Sequence, residues 1–325
     1  MKEKILEILK NNKDFISGEK LSKEFGISRA AIWKHINAIK EDGYEIESVS
    51  KRGYRLKDSP DLLTYGEVKS QLTTEFIGRN FVHYHSIGST NIEAKKLAAE
   101  GAVEGTIIVS EEQISGKGRL GRSWVSPKST GIWASIILRP DINPFMASKL
   151  TLLGAAAVAT ALEELEIDAH IKWPNDIVLN KKKACGILTE MSGEIERINY
   201  IVMGIGINVN TEDFPEEIKE VATSLKIEKG ESIDRKILLA KLLNNFEALY
   251  KEFIDKNKFN KVIDICKRKS ILLGSAVNII NGDKITRAKA IDIDEDGELV
   301  VEYEDKTIGK VVSGEISVRG IYGYV

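Results

Sequence analysis

Apolar positions between residues 1 and 57 recur first at helical spacing and then in alternation. Ile5, Leu6, Ile8 and Leu9 predict one helix, about 18–25 a second, and 28–41 a third with Ile32, Ile36 and Ile39 on one face. Gly26 supplies a turn and Ser28 a cap between the last two. Residues 44–49 and 53–56 read as hairpin strands around Ser50-Lys51-Arg52-Gly53. Two short helices joined by a tight glycine turn, with a hairpin behind them, predict a winged helix-turn-helix.

The polar, proline-containing stretch 57–61 marks a domain boundary. Beyond it the pattern predicts a helix over 62–72 and then strands mixed with helices. The strands cover 81–85, 106–110, 131–138, 177–179, 183–190 and 200–210; the helices cover 92–100, 144–164, 234–253 and 259–269. The alanine-rich face of 144–164 (Ala155, Ala156, Ala157, Ala159, Ala161) implies close packing on a sheet. From Gly274 onward, short alternating strands take over, with hairpin signals at Asn281-Gly282 and Asp296-Gly297. The expected architecture is α+β and multidomain. It comprises a winged helix-turn-helix over 1–60, a central mixed α/β domain over 61–270 and an SH3-like β-barrel over 271–325.

The 325 residues carry a formal net charge of −2, so any nucleic-acid contact must come from a local patch. Residues 20–57 hold nine Lys/Arg against five Asp/Glu, and no acid lies between Ser28 and Lys40. Ser28, Arg29, Lys34, Asn37 and Lys40 on the third helix, with Lys51 and Arg52 at the wing tip, are therefore the candidate duplex-binding residues. Trp33 and His35 are expected to pack or to face phosphates rather than read bases. The competing reading is a three-helix interaction module with a solvated basic face. Cys185 and Cys266 lack metal-ligand spacing, and no signal-peptide core follows Met1, so a reduced, cytoplasmic setting is expected. The most apolar run, 150–162, is too short to span a bilayer, and no membrane partner is expected.

The densest candidate chemistry is Gly116-Lys117-Gly118-Arg119-Leu120-Gly121-Arg122-Ser123-Trp124, between two predicted strands. Its glycines let backbone approach a ligand, and its cations suit a phosphate, arginine as a planar fork and lysine as a point charge. It matches neither the P-loop nor the dinucleotide pattern, and a solvated basic loop is the competing reading. Ser89, Thr90 and Asn91 stand at the start of a helix, where they can cap it or offer hydroxyl and amide groups to a neutral ligand. Lys183 abuts an apolar strand, so its ammonium can be held over a pocket. Asp176 can act through a metal, as with Mg²⁺-bound phosphate, or orient Lys183. Gly204 and Gly206 interrupt a strand, a sign of close approach by a ligand or by backbone.

Taken in order, these motifs carry a resemblance: a winged helix-turn-helix, Ser89-Thr90-Asn91, the loop from Gln113 to Arg122, Lys172-Trp173-Pro174-Asn175-Asp176, Lys183-x-x-Gly186-Ile187-Leu188-x-Glu190 and Gly204-Ile205-Gly206-Ile207-Asn208. The chain resembles, over essentially its whole length, the bifunctional biotin–protein ligases that also repress biotin synthesis genes. The resemblance implies that biotin and ATP, with Mg²⁺, form biotinyl-5′-AMP, which a lysine of a biotin carboxyl carrier domain then attacks. It implies that Lys183, Arg119, Arg122 and Asp176 serve catalysis, with Asp176 the candidate metal ligand. Ser89, Thr90, Asn91, Gln113, Gly116, Lys117, Gly118, Arg119, Lys183, Gly186, Gly204 and Gly206 would hold biotin. Arg119, Arg122, Trp124, Lys172, Asn175 and Asn208 would hold ATP or the adenylate. Lys117 stands where the family has an arginine; it keeps the charge and loses the fork. The implied partners are biotin, the carrier domain, operator DNA and a second copy of the chain, which pairs on adenylate and DNA binding. Two other classes stay open: a transcription factor that only senses a ligand, and a lipoate–protein ligase. Lys183 and the glycine loop favour an active ligase; Trp173-Pro174-Asn175-Asp176 and the C-terminal β domain favour biotin.

Overall fold

The structure is a computed structural model that describes residues 1–41, 43–194, 196–256, 258–313, 317–320 and 324–325. The chain divides into two compact units, Met1–Leu62 and Leu63–Val325.

The first unit holds α1 (Lys2–Asn11), α2 (Gly18–Phe25), α3 (Arg29–Glu41), β1 (Glu45–Val49) and β2 (Gly53–Asp58). Ile5, Leu9, Leu21, Ile32, Ile36 and Ile39 make its core, so the helical spacing of apolar residues became the packing. Gly26 ends α2 at φ 64°, a left-handed position that glycine enters without a Cβ clash. The Ser28 hydroxyl then accepts from the Ala31 N–H at 3.2 Å and caps α3. β1 and β2 pair antiparallel as the wing, and Tyr54 exchanges two backbone bonds of 2.9 Å with Ile16. Gly53, at φ +110°, is required there, because a Cβ would lie 2.0 Å from the Ile16 carbonyl oxygen.

The second unit begins with a correction. The helix expected over 62–72 shrinks to α4 (Tyr65–Val68) and a 3-10 turn at Lys69–Gln71. The N–H of Leu63 goes to Glu111 Oε1 at 2.7 Å, helical bonding starts at the Thr64 carbonyl, and Asn244 takes the Gln71 carbonyl at 2.9 Å. Then follow β3 (Phe81–Tyr84), α5 (Thr90–Ala99), β4 (Ile107–Ser110), β5 (Gly131–Leu138), α6 (Ala147–Glu163), β6 (His170–Lys172), β7 (Asp176–Leu179), β8 (Lys182–Gly193) and β9 (Ile198–Asn208). These strands form one sheet in the order β3-β4-β5-β9-β8-β7-β6. β3 and β4 run parallel and the other neighbours antiparallel, so the sheet is mixed as expected.

Helix α6 buries Leu150, Leu153, Ala155, Ala156, Ala157 and Val158. With the preceding 3-10 turn, the helical stretch Pro144–Glu163 runs 20 residues, longer than the apolar run read from sequence. By length and composition it could cross a membrane, but it is mostly buried within this unit as a core helix. α7 (Leu225–Lys229), capped by the Ser224 hydroxyl, was not anticipated; α8 (Arg235–Lys256) and α9 (Asn260–Arg268) were. Asp234 caps α8 through the Lys236 and Ile237 N–H groups. Cys185 and Cys266 are free and buried, and burial pushes the Cys266 thiol up to about 12.

β10 (Ala276–Asn281), β11 (Lys284–Ile293), β12 (Leu299–Tyr303), β13 (Ile308–Val311) and β14 (Ser317–Gly320) make a five-stranded antiparallel sheet ordered β13-β12-β11-β10-β14. β14 was not foreseen. Val277, Ala290 and Val301 of this sheet belong to the same continuous core as α6 and the central strands. The Trp173 indole donates to the Gly297 carbonyl at 2.9 Å and ties the central sheet to it.

A buried ion pair ties α8 to the end of β4 in the central sheet. Arg235 and Glu111 are both 0% exposed and meet at 3.0 Å. Glu111 also accepts from Leu63 N at 2.7 Å and meets His83 Nε2 at 2.9 Å. Burial alone would raise the Glu111 carboxyl, but His83, Arg235 and the Leu63 N–H outweigh it and hold it low. Arg235→Met should cost about 3–5 kcal/mol, because it leaves a buried charge without its partner. Urea unfolding measures it, and adding Glu111→Gln should recover much of the loss.

Candidate active site

One cavity of about 250 Å³ lies in the second unit, between the central sheet, the 116–124 loop and β14. Lys117, Arg119, Arg122, Lys172, Lys183 and Arg319 line it, with Asp176 the only acid among its described lining residues. Six cations around one carboxylate make a site for a polyanion.

The uncharged end is built on the start of α5. Ser89 occupies the N-cap position, yet its hydroxyl makes no capping bond. Instead Gln113 Oε1 accepts from the Thr90 N–H at 2.8 Å and from the Thr90 hydroxyl at 3.1 Å. Gln113 is fixed in turn by donating to Ser126 at 2.9 Å. The Ser135 hydroxyl, on β5, bonds Thr90 at 2.8 Å and Asn91 Oδ1 at 2.6 Å. Asn91 donates to Glu190 at 2.9 Å, and Lys95 pairs with the same carboxylate at 2.7 Å. The result is a rigid polar floor, suited to a neutral ligand rich in hydrogen-bonding groups.

The interior glycines of β9 open this floor to side chains. A Cβ at Gly204 would lie 2.1 Å from Asn91 Oδ1, and one at Gly206 would lie 2.5 Å from Trp124 Nε1. The close approach expected at these positions is therefore made by Asn91 and Trp124, though both glycines also line the cavity. The Trp124 indole N–H is a buried donor with no partner among the described residues. Gly116 does not line the cavity; it is buried at the root of the loop, where a Cβ would meet the Trp124 carbonyl oxygen at 2.4 Å.

At the charged end, Lys183 sits where β8 leaves its turn. Its N–H donates to the Val221 carbonyl at 2.7 Å and its carbonyl accepts from Thr223 N at 2.9 Å, so its backbone is held on both sides. Its ammonium pairs with Asp176 at 2.5 Å and lies 5.3 Å from the Trp124 ring. Burial would raise the Asp176 carboxyl, but Lys183, the Tyr324 hydroxyl and Lys172 outweigh it and leave it low. Asn175 donates to Asp176 at 3.1 Å and to the Ile187 carbonyl at 3.0 Å, and accepts from Arg119 at 2.8 Å. The glycine loop is thereby tied to the Trp173–Asp176 turn. Burial holds the Arg119 guanidinium below its usual value, with Asp176 acting against that. Lys172 is pushed down to about 8, chiefly by burial, with Asp176 opposing and Lys183, Arg319 and Arg122 adding to it. Asn208 spends its amide on the Thr223 carbonyl at 3.0 Å.

Every candidate small-molecule residue except Gly116 lines this cavity. Among those that sequence reasoning did not assign, Ser135 and Glu190 brace the floor, and Arg319 and Tyr324 come from the C-terminal segment. Glu190 stood within a quoted motif; nothing local in the sequence marks Arg319 or Tyr324. Asp176 does not stand in a resident metal cage: no three of His, Cys, Asp and Glu among the described residues gather to hold an ion. A lone carboxylate beside a polyanion site instead suits Mg²⁺ carried in on phosphates.

In the first unit, Arg29 and Lys34 lie exposed on α3, Asn37 half-buried and Lys40 exposed beside them. Lys40 donates to Ser48 of the wing at 3.2 Å. Lys51 and Arg52 are exposed at the wing tip, and the Arg52 guanidinium lies 4.2 Å over the Phe15 ring. Trp33 is 59% exposed.

Comparison with known proteins agrees with this division. Residues 2–55 match an HTH domain, residues 85–208 the Biotin/lipoate A/B protein ligase family, and residues 272–319 the Biotin protein ligase C terminal domain. The bifunctional ligase/repressor BirA of Bacillus subtilis is 40% identical over 306 residues, 93% of this chain and 94% of that one. Its Escherichia coli counterpart is 31% identical over 317 residues, 97% and 96% of the two chains. The biotin protein ligase of Aquifex aeolicus, solved in complex with biotin and ATP, superposes with a TM-score of 0.65 at 33% identity, covering 74% of this chain and 99% of that one. Likeness of this extent, carried through all three segments in the same order, makes the chain a member of the family of bifunctional ligase/repressors among the biotin protein ligases.

Proposed function

We infer that the cavity joins the biotin carboxylate to AMP and that the first unit turns the amount of this product into repression of biotin synthesis genes. The chain is a biotin ligase carrying a helix-turn-helix repressor domain, with biotin and ATP as substrates. The observation that carries the residue-level reading is the pairing, in one cavity, of a neutral polar floor with six cations around one acid. Biotin's uncharged ring would lie against Ser89, Thr90, Asn91 and Gln113, and its carboxylate would reach toward Lys183. A carboxylate oxygen attacks the α-phosphorus, the bond from that phosphorus to the bridging oxygen breaks, and pyrophosphate leaves. Both reactants are anions, so Lys183, Arg119 and Arg122 would offset the charge gathering between them. Asp176 would be the protein carboxylate beside Mg²⁺, which would supply further charge neutralisation. A lysine amine of a carrier domain then attacks the mixed anhydride and AMP leaves.

The two other classes make different forecasts. A pure sensor would bind biotin without exchanging pyrophosphate into ATP, and a lipoate ligase would exchange it with lipoate in place of biotin. Biotin-dependent ATP–pyrophosphate exchange is the deciding assay.

Functional boundaries near 60/61 and 270/271 follow from the Pro60 linker and the start of the C-terminal strands. For repression, one module supplies α3 and one wing, too little contact for high specificity. Two copies on a two-fold axis read half-sites about 34 Å apart or a multiple of it. The adenylate, touching the 116–124 loop, would favour that pairing; carrier protein would consume it and relieve repression.

Lys183→Ala should lose about 3–4 kcal/mol of transition-state stabilisation, roughly a hundredfold to a thousandfold in exchange rate; near-normal exchange in a folded variant counts against its role. Lys172 is charged below about 8 and neutral above it. The KM for ATP should therefore climb between pH 7 and pH 9 while biotin binding stays level, and Lys172→Met should flatten that climb. Operator binding should rise with biotinyl-AMP and fall steeply with salt, since Arg29, Lys34, Lys40, Lys51 and Arg52 are assigned to the duplex, several of them to phosphates. Sedimentation and operator titrations with and without the adenylate measure both; equal dimerisation and equal affinity in the two states would sink the switch.

A further inference from the structure

Tyr324, near the end of the chain, reaches into the charged end of the cavity. Val325 packs on the main core and folds over Gly320, where a Cβ would come within 2.1 Å of the Val325 carbonyl carbon. This seats Tyr324 against Asp176, to whose Oδ2 its hydroxyl donates. The other carboxylate oxygen is held by Lys183 at 2.5 Å and Asn175 at 3.1 Å. The Tyr324 ring lies under Lys172, 3.5 Å from Nζ to the ring centre.

Lys172 is the unusual member of this group. It is 4% exposed, and among the described residues its ammonium makes no hydrogen bond and no ion pair; the ring of Tyr324 is what it faces. A buried ammonium ordinarily finds a carboxylate or carbonyl. Asp176, four residues on, is the available carboxylate, and its Oδ2 is occupied by the Tyr324 hydroxyl. The same side chain therefore supports the cation on its face and competes with it for the carboxylate oxygen.

We propose that Tyr324 is a positioning residue for the nucleotide: it keeps the Lys172 ammonium off Asp176 and open to the phosphates. Without the hydroxyl, Lys172 turns to Asp176 Oδ2, and the pair that forms cancels one of the charges meant for ATP. Without the ring, the ammonium also loses its support. This inference rests on the reading of the cavity as the ATP site.

The test is steady-state exchange with full-length protein. Tyr324→Phe should raise the KM for ATP about tenfold, the scale of one hydrogen bond to a charged group. Tyr324→Ala should raise it about thirtyfold or more, as a desolvated cation–π contact is lost as well. The KM for biotin should stay within about twofold of the parent, with melting behaviour unchanged for the conservative variant. In a Lys172→Met background, Tyr324→Phe should have little further effect, because the two act through one contact. Independent, multiplying losses in the double variant overturn the proposal, as does an unchanged KM for ATP. A lower KM for ATP in Tyr324→Phe also overturns it, since the side chain would then be an obstacle to the nucleotide. Absence of biotin-dependent exchange in the parent would instead sink the ligase reading, and this inference with it.

Discussion

Like charges repel, and among the described residues six cations crowd one cavity around a single carboxylate. Much of the second unit serves to hold that arrangement together before any polyanion arrives. Four of the six are restrained by different parts of the fold. Lys183 is clamped by backbone bonds to Val221 and Thr223, Arg119 is tied to Asn175, Lys172 rides on the Tyr324 ring, and Arg319 is fixed in β14. Side chains held this way need no reorganisation when charge develops nearby, which is where electrostatic stabilisation of a transition state comes from. Asp176 keeps the assembly from flying apart: alone among the acids, it meets Lys183 directly and feels Lys172 and Arg119 through the field.

The neutral end obeys the opposite constraint. A buried hydroxyl or amide without a partner costs free energy, so Thr90, Asn91, Gln113, Ser126, Ser135 and Glu190 satisfy one another in a single network. Such a network is stiff because each member fixes the next. It could form only because β9 carries glycine at 204: any larger residue would drive a Cβ into Asn91. The glycine read from sequence as a sign of close approach by a ligand or by backbone is first of all room for the side chain that frames the floor.

Legibility in the sequence followed the range of the interaction. The winged helix-turn-helix was readable because its helices, caps and hairpin are local, and Ser28 and Gly26 do in the structure what their types suggest. The central strands and α6 were readable from apolar runs. The helix over 62–72 is short, and its ends are held from afar: the Leu63 N–H goes to Glu111, 48 residues away, and the Gln71 carbonyl to Asn244, 173 residues away. β14 carries too short a pattern to announce itself; its partner β10 lies some forty residues back. The same rule governs the site. Lys183, Asp176, Arg119 and the Ser89–Asn91 group sit in dense local motifs, and the fold brings them to one cavity. Tyr324 reaches Asp176 across 148 residues, and no local spacing could reveal that.

That separation also bears on why the C-terminal sheet belongs to the ligase half of the molecule. Its core is continuous with that of the central sheet, and Trp173, inside the Lys172–Asp176 motif, is anchored to Gly297. The turn that presents Lys172, Asn175 and Asp176 is thus held from two sides: by its own strands β6 and β7, and by the C-terminal strands through Trp173 and Tyr324. A loop carrying two opposite charges four residues apart would otherwise be free to collapse into its own ion pair. Bracing it from a second sheet fixes the turn whose charges line the cavity, which is a structural reason for this fold to place strands after the last catalytic motif.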